Sequence, residues 1–479
     1  MKKIFNKIIS FIVALTLIVN SGCDPSDFGD INVNPNATTV PVTSALLTNS
    51  ISGMGGAAFF LSGGLFSQYY SETQYTESSL YSTPQFGWDG VYAGVLYDLE
   101  NIININTNPE TKDKVLVNGS NANQIAVARI LKAYNYMYLT DEFGDLPYLG
   151  ALKGNAKPAY DSQQDIYKGM FKELKEAVAQ FDGGAAATGD ILFHGNIANW
   201  KKFANTLRLV LALRLSKVDA TIGKAEASAA ITDGVISSNA DNVVLEYPGG
   251  AFKNPWFNLY NGRKDYGISD IITGIMTDIK DPRLKAFGQA NNKGEIVAMP
   301  YGLTRDDAIT YTNAHPDFSF IIRSDLRAEN SIQPILTAAH AFLARAEAAQ
   351  RGWTSESATE MYNKGIKASW EQWGVFNQAA YDAYIADVKV SLASDPLTKI
   401  GVQRWLAFFP DGTQGWSEWR RTGFPVLKPT PKATNSSKQI PRRFVYPATE
   451  PNLNKANYDA AVSKLSGGDT QDGKVWWDK

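Results

Sequence analysis

Cysteine and histidine are scarce in this chain of 479 residues, which has one cysteine, Cys23, and three widely separated histidines, His194, His315 and His340. A single thiol excludes an internal disulfide, and the sequence has no Cys/His or His-Glu-x-x-His spacing typical of zinc. A Gly-x-x-x-x-Gly-Lys-Ser/Thr phosphate loop is also missing. We therefore expect no metal, no cofactor and no catalytic residues.

An excess of charge of one sign is missing too. The formal net charge is −2, and lysines and arginines are scattered along the chain. A nucleic-acid-binding protein would show clustered basic residues, so we expect no nucleic-acid partner.

Only one long apolar run occurs, at residues 8–19, after Lys2, Lys3 and Lys7. It is shorter than the roughly 20 residues that a transmembrane helix needs, so it is predicted to be a cleaved signal covering residues 1–22. Asn20-Ser21-Gly22-Cys23 resembles a bacterial lipobox, although Asn20 stands where Leu is usual, which implies lipid attachment at Cys23. An ordinary secretory signal with an incidental cysteine is the alternative. Residues 23–40 are polar and rich in turn residues, so they are predicted to be a tether.

Helical periodicity dominates the middle of the chain. Apolar residues at three-and-four spacing predict helices at 124–139, 164–181, 198–218 and 334–351. After Gly352, a second stripe, Ala358, Tyr362, Ile366 and Trp370, predicts a helical hairpin of the tetratricopeptide kind, without a strict 34-residue period. We expect one mainly α domain, residues 23–479, with long irregular loops.

Those loops are the predicted ligand-binding regions. Gly-, Asn- and Pro-rich tracts run over 50–90, 249–267 and 428–447, and aromatic residues make up 12% of the chain. Aromatic rings outside helical stripes suit sugar faces or peptides, and neighbouring polar groups suit hydroxyls. The predicted ligand-binding residues are Tyr75, Tyr81, Trp88, Trp256, Tyr260 and Arg263; packing is the alternative for Trp88.

Two sets of charged residues have structural interpretations. Asp141, Glu142 and Asp145 could supply the carboxylate pair of a glycosidase, but a turn after a helix explains them better. Glu418, which is followed by two arginines, is predicted to be half of a buried ion pair.

Several motifs together resemble the SusD/RagB family of nutrient-binding lipoproteins. They run in order along the whole chain: 27–36, Leu139-Thr140-Asp141-Glu142-Phe143-Gly144-Asp145-Leu146-Pro147-Tyr148, 203–209, Asp281-Pro282-Arg283-Leu284, 344–348 with Gly352-Trp353, Gln403-Arg404-Trp405, 415–425, 442–447, Glu450, Asn454 and 475–479.

The resemblance implies a surface-exposed, lipid-anchored outer-membrane protein that is not an enzyme. It implies four tetratricopeptide-like helix pairs and a ligand, an oligosaccharide or a peptide, that is passed to a SusC-like TonB-dependent transporter. A glycoside hydrolase and a scaffold that binds only proteins are the other hypotheses.

Overall fold

The computed structural model describes residues 42–83 and 85–479. The predicted signal, Cys23 and the tether at 23–40 lie outside these residues and stay predictions. Among the described residues, none of the helices is both long and apolar enough to span a bilayer.

Helices account for most of the regular structure. The α-helices are α1 Thr43–Phe59, α2 Leu61–Phe66, α3 Asp89–Val91, α4 Tyr97–Thr107, α5 Asn121–Phe143, α6 Gln163–Gln180, α7 Ile197–Arg214, α8 Ala220–Asp233, α9 Pro255–Leu259, α10 Asp270–Asp278, α11 Leu284–Phe287, α12 Arg305–Ala314, α13 Ala338–Gln350, α14 Ala358–Gln372, α15 Gln378–Ala386, α16 Pro396–Phe408, α17 Gly412–Thr422, α18 Glu450–Leu453 and α19 Lys455–Val462. A π-helical turn, Tyr92–Leu96, joins α3 to α4, and 3₁₀ turns occupy Lys112–Asn118, Leu215–Lys217 and Asn239–Asp241.

Four short strands form two antiparallel pairs in the part of the chain that is described. The strands are β1 Tyr70–Glu72, β2 Val243–Leu245, β3 Tyr266–Ile268 and β4 Gln333–Leu336. β1 pairs with β3, and β2 pairs with β4. Each pair therefore joins segments that are far apart in the sequence.

Among the described residues, consecutive helices pack as hairpins, including α5 with α6, α7 with α8, α13 with α14, and α16 with α17. The first helix of each of the first two hairpins begins at a capping side chain, Ser120 before α5 and Asn196 before α7. The helices of the third hairpin approach closely at Gly365, where a Cβ atom would lie 2.6 Å from Leu343 Cγ. This architecture confirms the predicted mainly α, tetratricopeptide-like fold.

One predicted helix boundary is wrong. Residues 334–336, which the helical pattern assigned to the start of 334–351, belong to β4, and the helix begins at Ala338. Ile335 and Leu336 are buried through pairing with β2 rather than through a helical stripe. His340 then fixes the first turn of α13, because its Nδ1 accepts a hydrogen bond from the Thr337 N–H at 3.2 Å.

Buried charges tie three of the hairpins together. Glu418 in α17 accepts two hydrogen bonds of 2.8 Å from Arg404 in α16 and one of 2.7 Å from Arg421. Arg214 in α7 also donates to Glu418, and Arg421 donates two bonds of 2.6 Å to Glu347 in α13. We call these five residues the arginine–glutamate cluster. Its buried ion pairs confirm the prediction for Glu418.

Candidate functional site

The first loop of the candidate site is held by the β1–β3 pair. Beyond β1, the Thr73 N–H donates to the carbonyl oxygen of Asp265 at 2.9 Å, and its hydroxyl donates to that of Lys264 at 2.7 Å. These bonds continue the strand pairing past its last residue. They place the loop that carries Tyr75 beside the loop that carries Arg263.

Tyr75 is an exposed ring flanked by two guanidinium groups. The side chain is 45% exposed, and the Cζ atoms of Arg263 and Arg305 lie 5.1 and 5.5 Å from the ring centroid. Arg263 is 62% exposed and is paired with Asp265 at 2.7 Å. An accessible ring with cations beside it offers an apolar surface together with hydrogen-bond donors.

A second group of rings and cations is linked to Tyr75 through Arg263 and Lys264, which are adjacent in the sequence and contact Tyr75 and Phe320 respectively. Tyr260 and Phe320 are stacked, with centroids 4.4 Å apart and planes inclined by 11°. The Cζ atom of Arg327 lies 4.6 Å from the Tyr260 centroid, and Lys264 Nζ lies 5.5 Å from that of Phe320. Tyr260 is half-buried, and its hydroxyl accepts a 2.8 Å bond from the Ile321 N–H. We call Tyr75, Tyr260, Arg263, Arg305, Phe320 and Arg327 the aromatic–arginine face.

A buried carboxyl group connects the two ends of the loop that carries Tyr75. Glu72 Oε2 accepts hydrogen bonds from the Ser79 N–H at 2.8 Å and the Ser79 hydroxyl at 2.5 Å. Burial raises the pKa of Glu72 to about 7, although the hydrogen bonds from Ser79 act in the opposite direction. Glu72 therefore joins the two ends of the loop that presents Tyr75.

Three of the residues predicted to bind ligand are core residues. Tyr81, Trp88 and Trp256 are all buried. Trp88 packs among other rings, including Phe143 at 5.1 Å, and Trp256 packs against Phe59 at 4.8 Å. None of these ring faces is open to a ligand in this conformation, so Tyr75, Tyr260 and Arg263 are the predicted residues that reach the aromatic–arginine face.

The acidic residues near 141 have partners that explain them structurally. Asp141 and Glu142 lie in the last turn of α5 rather than in a following turn. Asp141 is buried, accepts a 2.8 Å bond from Trp477 Nε1 and pairs with Arg214 at 3.3 Å. Burial raises the pKa of Glu142 to about 8, although Arg420 opposes this shift. In the two described ranges, the structure has no cluster of three or more His, Cys, Asp or Glu side chains suited to a metal ion.

Arg305, Phe320 and Arg327 belong to the face but were not predicted. They come from α12 and from the segment before β4, outside the Gly-, Asn- and Pro-rich tracts. Neither a motif nor a period marks them in the sequence, because their relation to Tyr75 and Tyr260 exists only in the folded chain.

The helical hairpins define the fold class, and the aromatic–arginine face, which lies outside them, is the candidate ligand-binding surface. A family model described as "SusD-like, starch-binding associating with outer membrane" matches residues 35–447. The chain therefore belongs to the SusD-like family, as the sequence motifs predicted.

Solved structures agree with this assignment. A chitin-binding protein is 31% identical, with a TM-score of 0.78, over 91% of this chain and 100% of its own. A chitin-binding SusD homologue from Flavobacterium johnsoniae is 29% identical, with a TM-score of 0.78, over 90% of this chain and 98% of its own. A SusD homologue from Parabacteroides distasonis, at 24% identity and a TM-score of 0.79 over 92% and 98%, shares the fold. Among curated proteins, none matches this chain.

Proposed function

We propose that this protein binds an oligosaccharide nutrient at the aromatic–arginine face and passes it to a SusC-like TonB-dependent transporter. The observation that carries the proposal is the exposed ring of Tyr75 beside the guanidinium groups of Arg263 and Arg305. A sugar ring stacks on an accessible aromatic face, and the flanking N–H groups donate to its hydroxyl oxygens. Tyr260 and Arg327 offer the same stacking and hydrogen-bond donation to further sugar units.

The relatives favour a carbohydrate over a peptide as the ligand. Two of the similar proteins are described as chitin-binding, and the family description names starch. A peptide remains the second ligand class, because aromatic rings and arginines also suit peptide side chains and carboxylates. Calorimetric titration with fragments of chitin, fragments of starch and a mixture of peptides distinguishes the carbohydrate from the peptide class of ligand.

Replacing Tyr75 with Ala tests the site. We expect the affinity for the bound oligosaccharide to fall about tenfold, or 1.4 kcal/mol, because the stacking surface is removed while the fold stays intact. Tyr97→Ala is the matched control, since Tyr97 is an equally exposed tyrosine, in α4 and not on the face. Equal affinities of wild-type protein and the Tyr75→Ala variant would rule out this site.

Binding without turnover is part of the proposal. The carboxylates that a glycosidase could use, Asp141 and Glu142, lie at the end of α5, and Asp141 is engaged by Arg214 and Trp477. We expect no new reducing ends when the purified protein is incubated with an oligosaccharide that it binds. Steady release of reducing ends would favour the hypothesis that the protein is a glycoside hydrolase.

Location at the outer membrane follows from the family description, and we propose that lipid on Cys23 is the anchor. We also propose residues 1–22 as the cleaved signal, residues 23–40 as the tether and residues 23–479 as one nutrient-binding domain. A protein held in this way is positioned beside a membrane-embedded transporter. Co-purification of a barrel protein with the membrane-extracted protein tests the partnership.

A further inference from the structure

Arg327 is a half-buried cation of the aromatic–arginine face, and contacts with rings and backbone hold its side chain in place. Its Cζ atom lies 4.6 Å from the centroid of Tyr260 and 5.6 Å from that of Phe320. Its Nε–H donates to the Ile322 carbonyl oxygen at 3.0 Å. The guanidinium group therefore has a defined position beside the stacked rings in the free protein.

The outer end of this guanidinium group is available to a ligand. Among the described residues, no group accepts a hydrogen bond from Nη1 or Nη2 of Arg327, and both nitrogens are open to solvent. Arg323, in the same segment, differs in this respect, because its Nε and Nη2 atoms donate to the two carboxylate oxygens of Asp325 at 2.6 and 3.0 Å. A guanidinium group presents its N–H donors in a planar arrangement that fits a carboxylate, so Arg327 can still accept such a partner.

Arg327 and Lys264 both lack a counter-charge in the part of the chain that the structure describes. Lys264 is exposed, its Nζ atom lies 5.5 Å from the Phe320 centroid, and neither cation forms an ion pair with a described carboxylate. The carboxylates nearest to them in the sequence are already paired with other cations: Asp265 with Arg263 at 2.7 Å, Asp325 with Arg323 at 2.6 Å, and Glu329 with Lys253 at 2.8 Å. Two cations beside the same ring are therefore left for an anionic group from outside the protein.

The pKa values of the two arginines differ in direction for the same reason. Partial burial lowers the pKa of Arg327, and the interaction with Tyr260 opposes this effect only in part. The hydrogen bond to Asp325 raises the pKa of Arg323 instead. A guanidinium group that has lost part of its hydration in the free protein attracts an incoming anion more strongly than a fully hydrated one does.

We propose that the aromatic–arginine face selects an acidic oligosaccharide, with a uronic acid unit beside Tyr260 and Phe320. The carboxylate of this unit accepts hydrogen bonds from Nη1 and Nη2 of Arg327, and Lys264 is the second cation that attracts it. A neutral sugar carries a hydroxymethyl group at the same carbon, which cannot form a bidentate, charge-assisted pair. The inference rests on the proposed oligosaccharide site and names the sugar class that this site takes.

Two matched pairs of trisaccharides test this selection. Cellotriuronic acid differs from cellotriose, and α-1,4-linked trigalacturonic acid from α-1,4-linked galactotriose, only in carrying carboxylates in place of hydroxymethyl groups. We expect calorimetry on the wild-type protein to give about tenfold tighter binding of the acidic member in at least one pair, because charge-assisted hydrogen bonds are the stronger ones. This preference should shrink when sodium chloride is raised from about 0.05 M to about 0.5 M, since salt screens charges that are open to solvent.

Arg327→Gln removes the proposed carboxylate partner, and it should lower the ratio of acidic to neutral affinity severalfold. Arg323→Gln is the matched control, because it changes the net charge equally and in the same segment, but Arg323 is already bound to Asp325 and is not part of the face. The ratio in this control should equal that of wild type. Lys264→Gln alters an exposed side chain and should also lower the ratio, which covers the case of an Arg327→Gln variant that does not fold.

Three results overturn the acidic-sugar assignment and leave oligosaccharide binding in place. They are neutral trisaccharides that bind as tightly as their acidic counterparts in both pairs, an Arg327→Gln variant that keeps the full preference, and an equal loss of preference in Arg323→Gln. Failure of the wild-type protein to bind any of these trisaccharides or any fragment of chitin or starch overturns the proposed function as well.

Discussion

Glu418 shows how one side chain can depend on several helices. Burial by itself would raise the pKa of its carboxyl group, but Arg404, Arg421 and Arg214 together hold that pKa well below its ordinary value. Glu347 behaves in the same way, and its pKa falls to about 2 against the effect of burial. Both groups therefore stay charged inside the protein, where each arginine needs a carboxylate partner.

Replacing Glu418 with Gln should strongly destabilise the protein. The change leaves buried guanidinium groups without their counter-charge, and breaking one side of a buried ion pair typically costs about 3–5 kcal/mol. Urea denaturation at neutral pH measures the free energy of unfolding. Glu360→Gln is the control, because it removes a carboxylate from an exposed pair with Lys364 and should change little. Similar unfolding curves for the two variants would contradict this account of the arginine–glutamate cluster.

At the scale of elements, the strand pair β1–β3 connects the core to the loops that carry the proposed ligand-binding residues. The strand residues Tyr70 and Ile268 are paired and buried, while Tyr75, a few residues beyond β1, is exposed. Glu72 stands at the boundary, at the end of β1, and binds Ser79 across the loop. The geometry of the loop is thus set by a strand end and one buried carboxyl group.

This arrangement predicts a pH dependence that Glu72→Gln removes. Because the pKa of Glu72 is raised from 4.5 to about 7, the folded protein holds an extra proton between these pH values. The free energy of unfolding therefore falls as the pH rises through this window, by at most about 1.4 kcal/mol per pH unit from this group.

Urea denaturation of wild-type protein and Glu72→Gln, from about pH 5 to about pH 8, measures the difference. Asp411, whose pKa burial raises to about 7, adds a dependence of the same sign to both proteins, so the difference between them isolates Glu72. Glu110→Gln removes an exposed carboxyl group from outside the loop and is the control. Parallel curves for wild-type protein and Glu72→Gln would show that Glu72 has no such role.

For the whole molecule, the proposed lipid anchor sets where the protein resides, and the folded domain sets what it binds. Residues 43–479 form a single compact unit. The proposed lipid attachment site, Cys23, precedes this unit in the sequence. A change at Cys23 should therefore alter where the protein resides without altering what it binds.

Cys23→Ser should release the protein from the outer membrane of expressing cells. Several acyl chains are needed for a stable anchor, and a serine at this position cannot carry the thioether-linked lipid. Cell fractionation followed by immunoblotting measures the distribution, and the intact mass of the wild-type protein reveals its acyl groups. Oligosaccharide affinity of the purified variant is the control and should equal that of wild type. A Cys23→Ser protein that stays in the membrane fraction would contradict the lipid anchor.

Helical periodicity predicted the hairpin around Gly352 because each of its two helices buries its own repeated stripe. Tyr362, Ile366 and Trp370 are all buried, as their spacing indicated. β4 escaped prediction because four residues carry too little pattern, and their burial depends on the distant β2.

The candidate site was only partly visible in the sequence. Composition pointed to the loops of Tyr75, Tyr260 and Arg263, but it could not distinguish the exposed Tyr75 from the buried Trp88. That distinction depends on neighbours from distant segments, such as Phe143 and Tyr446 around Trp88.

The helical hairpins do not include the loops that carry three residues of the aromatic–arginine face. Tyr75, Arg263 and Arg327 all lie outside the helices that pair with one another. Substitutions at these positions can accumulate without loss of the helical fold. A lineage of such proteins could therefore exchange one nutrient for another by altering a few loop side chains, while its helices continue to fold as before.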